Sequence, residues 1–286
     1  MKNIIIKKHN ANKLSSDVAD IRRGDEIVCA CRDIRQNILR IAKLSGHGHI
    51  PTCFSVIEIL YAIFRSIKHD PLNVGWEERD IFVLSKGHAA LAYYAVLAQF
   101  GYFDWKELES FGGFMSDFGC HADRFKIPGI EASTGSLGHG IGLAVGIALA
   151  FRIRKSERRV FTLIGDGESN EGSVWEAVLV AENLRLNNLT IIYDNNMSHS
   201  RGLQIRNPAE HFRGFGCEVV ELNGHDVDAI SAEITKSVDT VKVIVANTIK
   251  GCGCRTFVEN QYEWHRRSPN DEEFTKLIKE LYEEAI

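Results

Sequence analysis

Residues 161–172 read FTLIGDGESNEG, and residues 189–198 read LTIIYDNNMS. The run from Val160 to Ile164 is short, apolar and rich in strand-favouring residues, and it ends at Gly165-Asp166-Gly167. Val174, Ala177, Val178, Ala181 and Leu184 then recur at helical spacing, so a helix opens near Glu171. Leu189 to Tyr193 is a second buried-type strand, and it ends at Asp194-Asn195-Asn196. Two parallel strands joined by one helix bring both turns to the carboxyl edge of a sheet, where open α/β sheets bind ligands. The expected fold is α/β, a doubly wound and mostly parallel sheet with helices on both faces.

That edge carries Asp166, Asn196 and glycine backbone, which are hard oxygen ligands and small N–H donors. Mg²⁺ prefers such oxygens, takes few protein ligands and shares its shell with ligand phosphates. The helix that opens near Glu171 turns its positive end and free N–H groups toward the same place. The chemistry indicated is a metal–diphosphate clamp, whereas a GDG on its own is a tight turn.

The GDG at Gly165–Gly167 and the Asn195-Asn196 pair, with residues 168–194 between them, resemble the thiamine-diphosphate signature. Five further stretches are similar to transketolases, in that family's order. They are SGH at Ser45–His47, RDIFVLSKGH at Arg79–His88, PGIEASTGSLGHG at Pro128–Gly140, GDGESNEGSVWEA at Gly165–Ala177 and WH at Trp264-His265. The likeness runs from about Ser45 to His265. It implies the thiamine diphosphate-binding fold, with residues 17–286 as one diphosphate-binding domain behind a loosely ordered arm of residues 1–16. It implies thiamine diphosphate and Mg²⁺ as cofactors, with Ca²⁺ or Mn²⁺ able to stand in for the magnesium. Asp166, Asn196 and the Ser198 carbonyl are the implied metal ligands. Gly135, Leu137, Gly165, Gly167, Glu168 and His88 are placed along the cofactor. His47, His121 and His265 are placed where substrate hydroxyls are oriented and protons moved, work suited to groups that titrate near neutral pH. Of these, His47 and His265 also touch the cofactor.

Several positions depart from the family pattern. The usual SGHPG reads SGHGH here, so His49 stands where the family has glycine and bears on the acceptor side of the pocket. His121 sits in CHAD instead of a GHPE-like context, and His139 replaces a glutamine. Lys250, just after the last strand, reads either as a solvated charge or as a neutraliser of the diphosphate.

Composition sets outer limits. A chain of 286 residues can bury a substantial core in one α/β domain. A net charge of −4 gives no reason to expect nucleic acid or an anionic membrane as partner. The longest apolar stretch, Ile141 to Phe151, is too short to span a bilayer and reads as a helix packed on the sheet. MKNIIIKKHN at the start has no small-residue cleavage site and is not read as a signal peptide. Seven cysteines form no disulfide framework, and the one-residue gaps of Cys29-Ala-Cys31 and Cys252-Gly-Cys254 are too short for zinc knuckles. Reduced thiols point to the cytoplasm.

The remaining segments fill in the frame. Asp17–Lys43 reads as a helix with a stripe through Ile21, Ile27, Val28, Cys31, Ile34, Ile38 and Ile41, and Gly24 is a possible break. Phe54–Ile67 reads as one apolar helix, Asp80–Leu84 as a strand and Ala89–Phe100 as a helix. Gly112–Glu131 is a loop too long to be a plain connector. Phe215–Leu222 and Val241–Asn247 read as strands around a helix at Asp226–Val238, and Asn270–Ile286 as a closing amphipathic helix.

The resemblance also implies what lies outside this chain. In transketolases the glutamate that activates the cofactor belongs to a pyrimidine-binding domain of the neighbouring subunit, for which these residues leave no room. The expectation is therefore the amino-terminal subunit of a split transketolase. It would be inactive alone and pair with a second subunit carrying the pyrimidine-binding and C-terminal domains, as a two-plus-two heterotetramer that works on sugars or sugar phosphates. Glu171 is placed at the seam, where paired carboxylates share a proton. Two alternatives remain open on these residues: the α subunit of a 2-oxoacid dehydrogenase or decarboxylase, and a non-catalytic paralogue.

Overall fold

The computed structural model describes residues 11–283. Five strands form one wholly parallel sheet: β1 (Ile81–Leu84), β2 (Val160–Gly165), β3 (Leu189–Asn195), β4 (Glu218–Asn223) and β5 (Lys242–Asn247), in the order β1-β2-β3-β5-β4. Every residue of β1 and β2 is buried, as a parallel sheet covered on both faces requires. Alternation along the strands divides the core in two. Phe82, Leu84, Phe161, Leu163, Ile192 and Ile244 face one layer, while Ile81, Val83, Val160, Ile164, Ile191, Tyr193 and Val243 face the other.

The first layer holds α1 (Ala11–Ser45), α2 (Ile50–Ser55), α3 (Ile57–Ser66), α4 (Ala90–Gln99) and α8 (Val227–Thr235). The second holds α5 (Gly140–Ile153), α6 (Gly172–Asn183) and α7 (Pro208–Gly214). From β2 through β3 to β4 the chain moves one way across the sheet with α6 and α7 on one face. It then steps back from β4 to β5, and a right-handed crossover in the reverse direction places α8 on the opposite face. Two further helices, α9 (Arg255–Glu259) and α10 (Asp271–Glu283), close the fold, and α10 packs on α1 through Leu277 and Leu281.

Several sequence expectations shift. Helix α1 begins at Ala11, inside the expected arm, while residues 1–10 lie outside the described residues. It runs through Gly24 without a break, and Val28 stays exposed. The single helix expected over Phe54–Ile67 divides at Val56, whose backbone (φ −111°, ψ 5°) ends α2 and starts α3. Strand β4 starts at Glu218 because Phe215 caps α7 and Gly216 turns the chain with φ +98°. No helix or strand occupies residues 111–139, so the long loop stands as read. No disulfide joins the seven cysteines. Among the described residues no helix is long and apolar enough to cross a membrane.

Candidate active site

Parallel register sets the site. Gly165 pairs with Asp194 across β2 and β3, so the GDG turn and the Asn-Asn turn emerge side by side. Asp166 and Asn196 are buried there. The Ser198 amide donates to Asp166 Oδ2 at 2.8 Å and to Asn196 Oδ1 at 3.0 Å, so the two side-chain oxygens converge on one point. Ser198 Oγ and the Gly167 amide donate to Asp166 Oδ1 at 2.5 and 2.6 Å. His199 Nδ1 lies 2.8 Å from Asp166 Oδ2.

A buried ionic knot supports these oxygens from beneath. Asp194 is completely buried and receives hydrogen bonds from Lys86 Nζ and Thr248 Oγ1, from Ser55 Oγ at 3.1 Å and from Asn196 Nδ2 at 2.8 Å. An ionised carboxylate only accepts, so Asp194 fixes which end of the Asn196 amide points inward. The amide oxygen is left facing Asp166.

Glu168 knits the next layer. Its Oε1 accepts from Ser85 Oγ at 2.6 Å and the Gly138 amide at 2.9 Å, and its Oε2 accepts from the Gly165 amide at 3.0 Å. Burial raises its carboxyl above the usual range, while these donors and Lys86 pull it back. The 135–140 turn is thereby held against β1 and α6. Gly138 has φ +77°, and a Cβ there would lie 2.4 Å from Ser173 Oγ. At Gly140 a Cβ would fall 2.5 Å from Ser85 Cα, so the start of α5 can approach the strand end only as glycine.

Opposite stands a wall of imidazoles and cations. A cleft of about 630 Å³ is lined by Asp166, Gly167, Glu168 and Ser198 on one side and by His47, His49, His88, His121 and His265 on the other. Lys86, Gly135, Leu137, Cys120, Gly165 and Arg266 also line it. His49 stands edge-on to His88 and His265, with ring centroids 5.6 and 5.4 Å away. Burial, with the neighbouring His265 and Arg266, pushes the His49 imidazole down to about 4. His88 is also held well below the ordinary histidine value, by burial and Lys86, and His265 is lowered by burial and Lys250. The ring nitrogens are assigned by their partners. His121 Nδ1 lies 2.7 Å from the Cys120 carbonyl and so carries the proton, which leaves Nε2 as the basic atom. His265 Nδ1 lies 3.3 Å from Lys250 Nζ and accepts from the ammonium. The exposed His47 ring is braced by the Gly112 turn, where an added Cβ would lie 3.0 Å from its Cδ2.

A family model described as transketolase, thiamine diphosphate binding domain, matches residues 26–283. The chain belongs to the transketolase family. It is 36% identical over 269 residues to an apulose-4-phosphate transketolase subunit of Actinobacillus succinogenes, covering 91% of this chain and 97% of that one. It is 39% identical over 258 residues to the 6-deoxy-6-sulfo-D-fructose transketolase subunit SqwG of a Clostridium species, covering 86% and 92%. Among solved structures, a transketolase from Pichia stipitis in complex with sedoheptulose-7-phosphate superposes with a TM-score of 0.81 at 26% identity, covering 91% of this chain and 41% of that one. The chain thus has the length of these two transketolase subunits and two-fifths of that single-chain enzyme.

Of the residues expected from the transketolase pattern, His47, His88, His121, Gly135, Leu137, Gly165, Asp166, Gly167, Glu168, Ser198 and His265 share the one cleft. Asn196 joins them through Ser198. Glu171 lies apart, exposed at the amino end of α6. His139 is also outside the cleft, exposed at the start of α5. Sequence reasoning passed over Lys86, Asp194 and Arg266 and left Lys250 undecided. A lysine two residues after the four buried residues of β1 was the signal available for Lys86. Nothing local marks Arg266.

Proposed function

We propose that this chain is the diphosphate-binding half of a two-component transketolase that moves a two-carbon ketol unit from a ketose donor to an aldose acceptor. The observation that carries the reading is the convergence of Asp166 and Asn196 oxygens at the sheet edge, facing imidazole groups across the cleft. That donor set fits a magnesium diphosphate. The oxygens are hard, and the buried Lys250 ammonium, which donates to His265, supplies positive charge close to Asp166. The wall is also open beside Gly135, since a Cβ there would meet only His121, at 4.0 Å.

Asp166, Asn196 and the Ser198 carbonyl would hold the cation, which Ca²⁺ or Mn²⁺ can also satisfy. Gly167, His88, Lys250 and His265 would hold the diphosphate, and Gly135 and Leu137 would flank the rings. Thiamine diphosphate, when bound, supplies a stabilised carbanion at the thiazolium carbon. The chain's own groups bind and move protons around it. His121 Nε2 is free to accept a hydroxyl proton, while the neutral His265 donates from Nε2 and orients an oxygen. His47, at the open end, adds a third imidazole that can bind or carry a proton. Burial and nearby cations keep His49 and His88 uncharged at neutral pH.

The glutamate that activates the cofactor would come from a pyrimidine-binding domain of a partner subunit, in a two-plus-two heterotetramer. Glu171 marks the seam, beside a shallow groove between α5 and α6. The same face leaves Leu143, Ile153, Leu179 and Val180 exposed. Reduced thiols support a cytoplasmic setting. Titration calorimetry of the assembled complex tests the core of this reading. Asp166→Ala abolishes Mg²⁺-dependent binding of thiamine diphosphate, and retained tight binding removes Asp166 from the metal shell.

A further inference from the structure

Arg266 follows His265 along the cleft wall and is exposed. Its neighbour Arg267 is engaged elsewhere: it pairs with Glu263 and Glu273 and lies 3.7 Å above the Trp264 ring. Arg266 has no such partner, for among the described residues its guanidinium makes no hydrogen bond or ion pair. It stands close enough to His49 and His265 to help disfavour their protonation. The carboxylates that line the cleft are occupied, Asp166 by Ser198 and Gly167 and Glu168 by Ser85, Gly138 and Gly165. A lone guanidinium on a cation-rich wall is a binding group for an anion that arrives from solution.

We propose that Arg266 grips the terminal oxyanion, a phosphate or a sulfonate, of the sugar substrate. This rests on the ketol-transfer reading and extends it, because it gives this chain a direct part in choosing the sugar. The planar fork of a guanidinium matches two oxygens of a tetrahedral oxyanion. Its place suits the far end of a sugar better than the cofactor. The clamp for the cation is buried at Asp166 and Asn196, whereas Arg266 stands exposed beyond His265. Lys250, which is buried, and His265 are already assigned to the diphosphate in this reading. The two similar subunits from Actinobacillus and Clostridium take sugars with a phosphate or a sulfonate, which is the same chemistry.

The test uses the assembled two-component complex and compares one acceptor aldose with its phosphate ester. Arg266→Gln lowers the ratio of kcat/KM for the ester over the free sugar by about tenfold or more, mainly through KM, as expected for a lost charge-assisted bond. Arg266→Lys recovers part of the ratio, because a point charge retains attraction without the fork. Arg267→Gln, in contrast, keeps the wild-type ratio. The same comparison with a phosphorylated and a sulfonated ketose donor tells which oxyanion is gripped, by which donor loses more. Unchanged ratios for acceptor and donors in an active Arg266→Gln complex overturn the proposal and leave ketol transfer standing. A wild-type complex that transfers no ketol unit to any acceptor overturns the ketol-transfer reading and the proposal with it.

Discussion

Lys250 is buried, with its Nζ 3.3 Å from His265 Nδ1. Burial and the Lys86 charge push its ammonium down to about 8. The protonated form therefore dominates below pH 8 and is lost as pH rises through that value, and with it the attraction for a diphosphate. Cofactor affinity in the assembled complex is expected to fall between pH 7 and pH 9.5, followed by calorimetry, and Lys250→Met should flatten that slope while weakening binding at pH 7. Lys86 and Asp194 make a different case, since both are buried and neither faces bulk water. Lys86→Met leaves Asp194 with neutral donors only, at a cost of about 3–5 kcal/mol in urea unfolding. A change below about 1 kcal/mol would show that Ser55, Asn196 and Thr248 satisfy the carboxylate by themselves.

Among the elements, the division of α2 from α3 shows how a local irregularity serves the site. The break at Val56 follows directly on Ser55, whose hydroxyl reaches Asp194 beneath Asn196. An apolar run such as CFSVIEIL carries no mark of where its helix parts. Helix α7 was illegible for another reason. In PAEHFRG only Ala209 and Phe212 are buried, too few to establish a period. Helices α5 and α6 were plain in the pattern, yet their outer faces keep Leu143, Leu179 and Val180 in solvent. If the partner subunit covers that face, Leu179→Glu with Val180→Glu weakens co-purification of the two subunits by about tenfold or more, as charges buried at an interface core do. The melting temperature of the chain alone should not move, because neither side chain enters the core.

The whole molecule joins two core layers through one sheet, and its carboxyl edge collects groups from four separate strand ends and three loops. Binding of a ligand there stabilises the folded state by mass action. At a hundredfold excess over Kd, thiamine diphosphate with Mg²⁺ should add about 2.7 kcal/mol to the assembled complex. Differential scanning calorimetry should show this as a rise of several degrees, and a chelator should erase it. The chain alone should give no ketol transfer, and addition of the partner subunit should restore it. In that complex Glu171→Gln is expected to keep Mg²⁺-dependent cofactor binding but lower kcat by about a hundredfold, as loss of a proton-sharing carboxylate does.

The amino-acid order alone determined the parallel sheet, the two adjacent turns and which side-chain oxygens those turns present. Strand and helix periods are local, and Gly165-Asp166-Gly167 and Asn195-Asn196 each end a strand that the eye can follow. Tertiary structure alone decided what those turns rest on and what faces them. Lys86, Asp194, Ser55 and Thr248 come from four separate segments, and only the registers that join β1, β2, β3 and β5, with the break at Val56, bring them together. The same holds for Lys250, His49 and Arg266. A cation is solvated or purposeful according to the charges packed around it, and those charges lie far away along the chain.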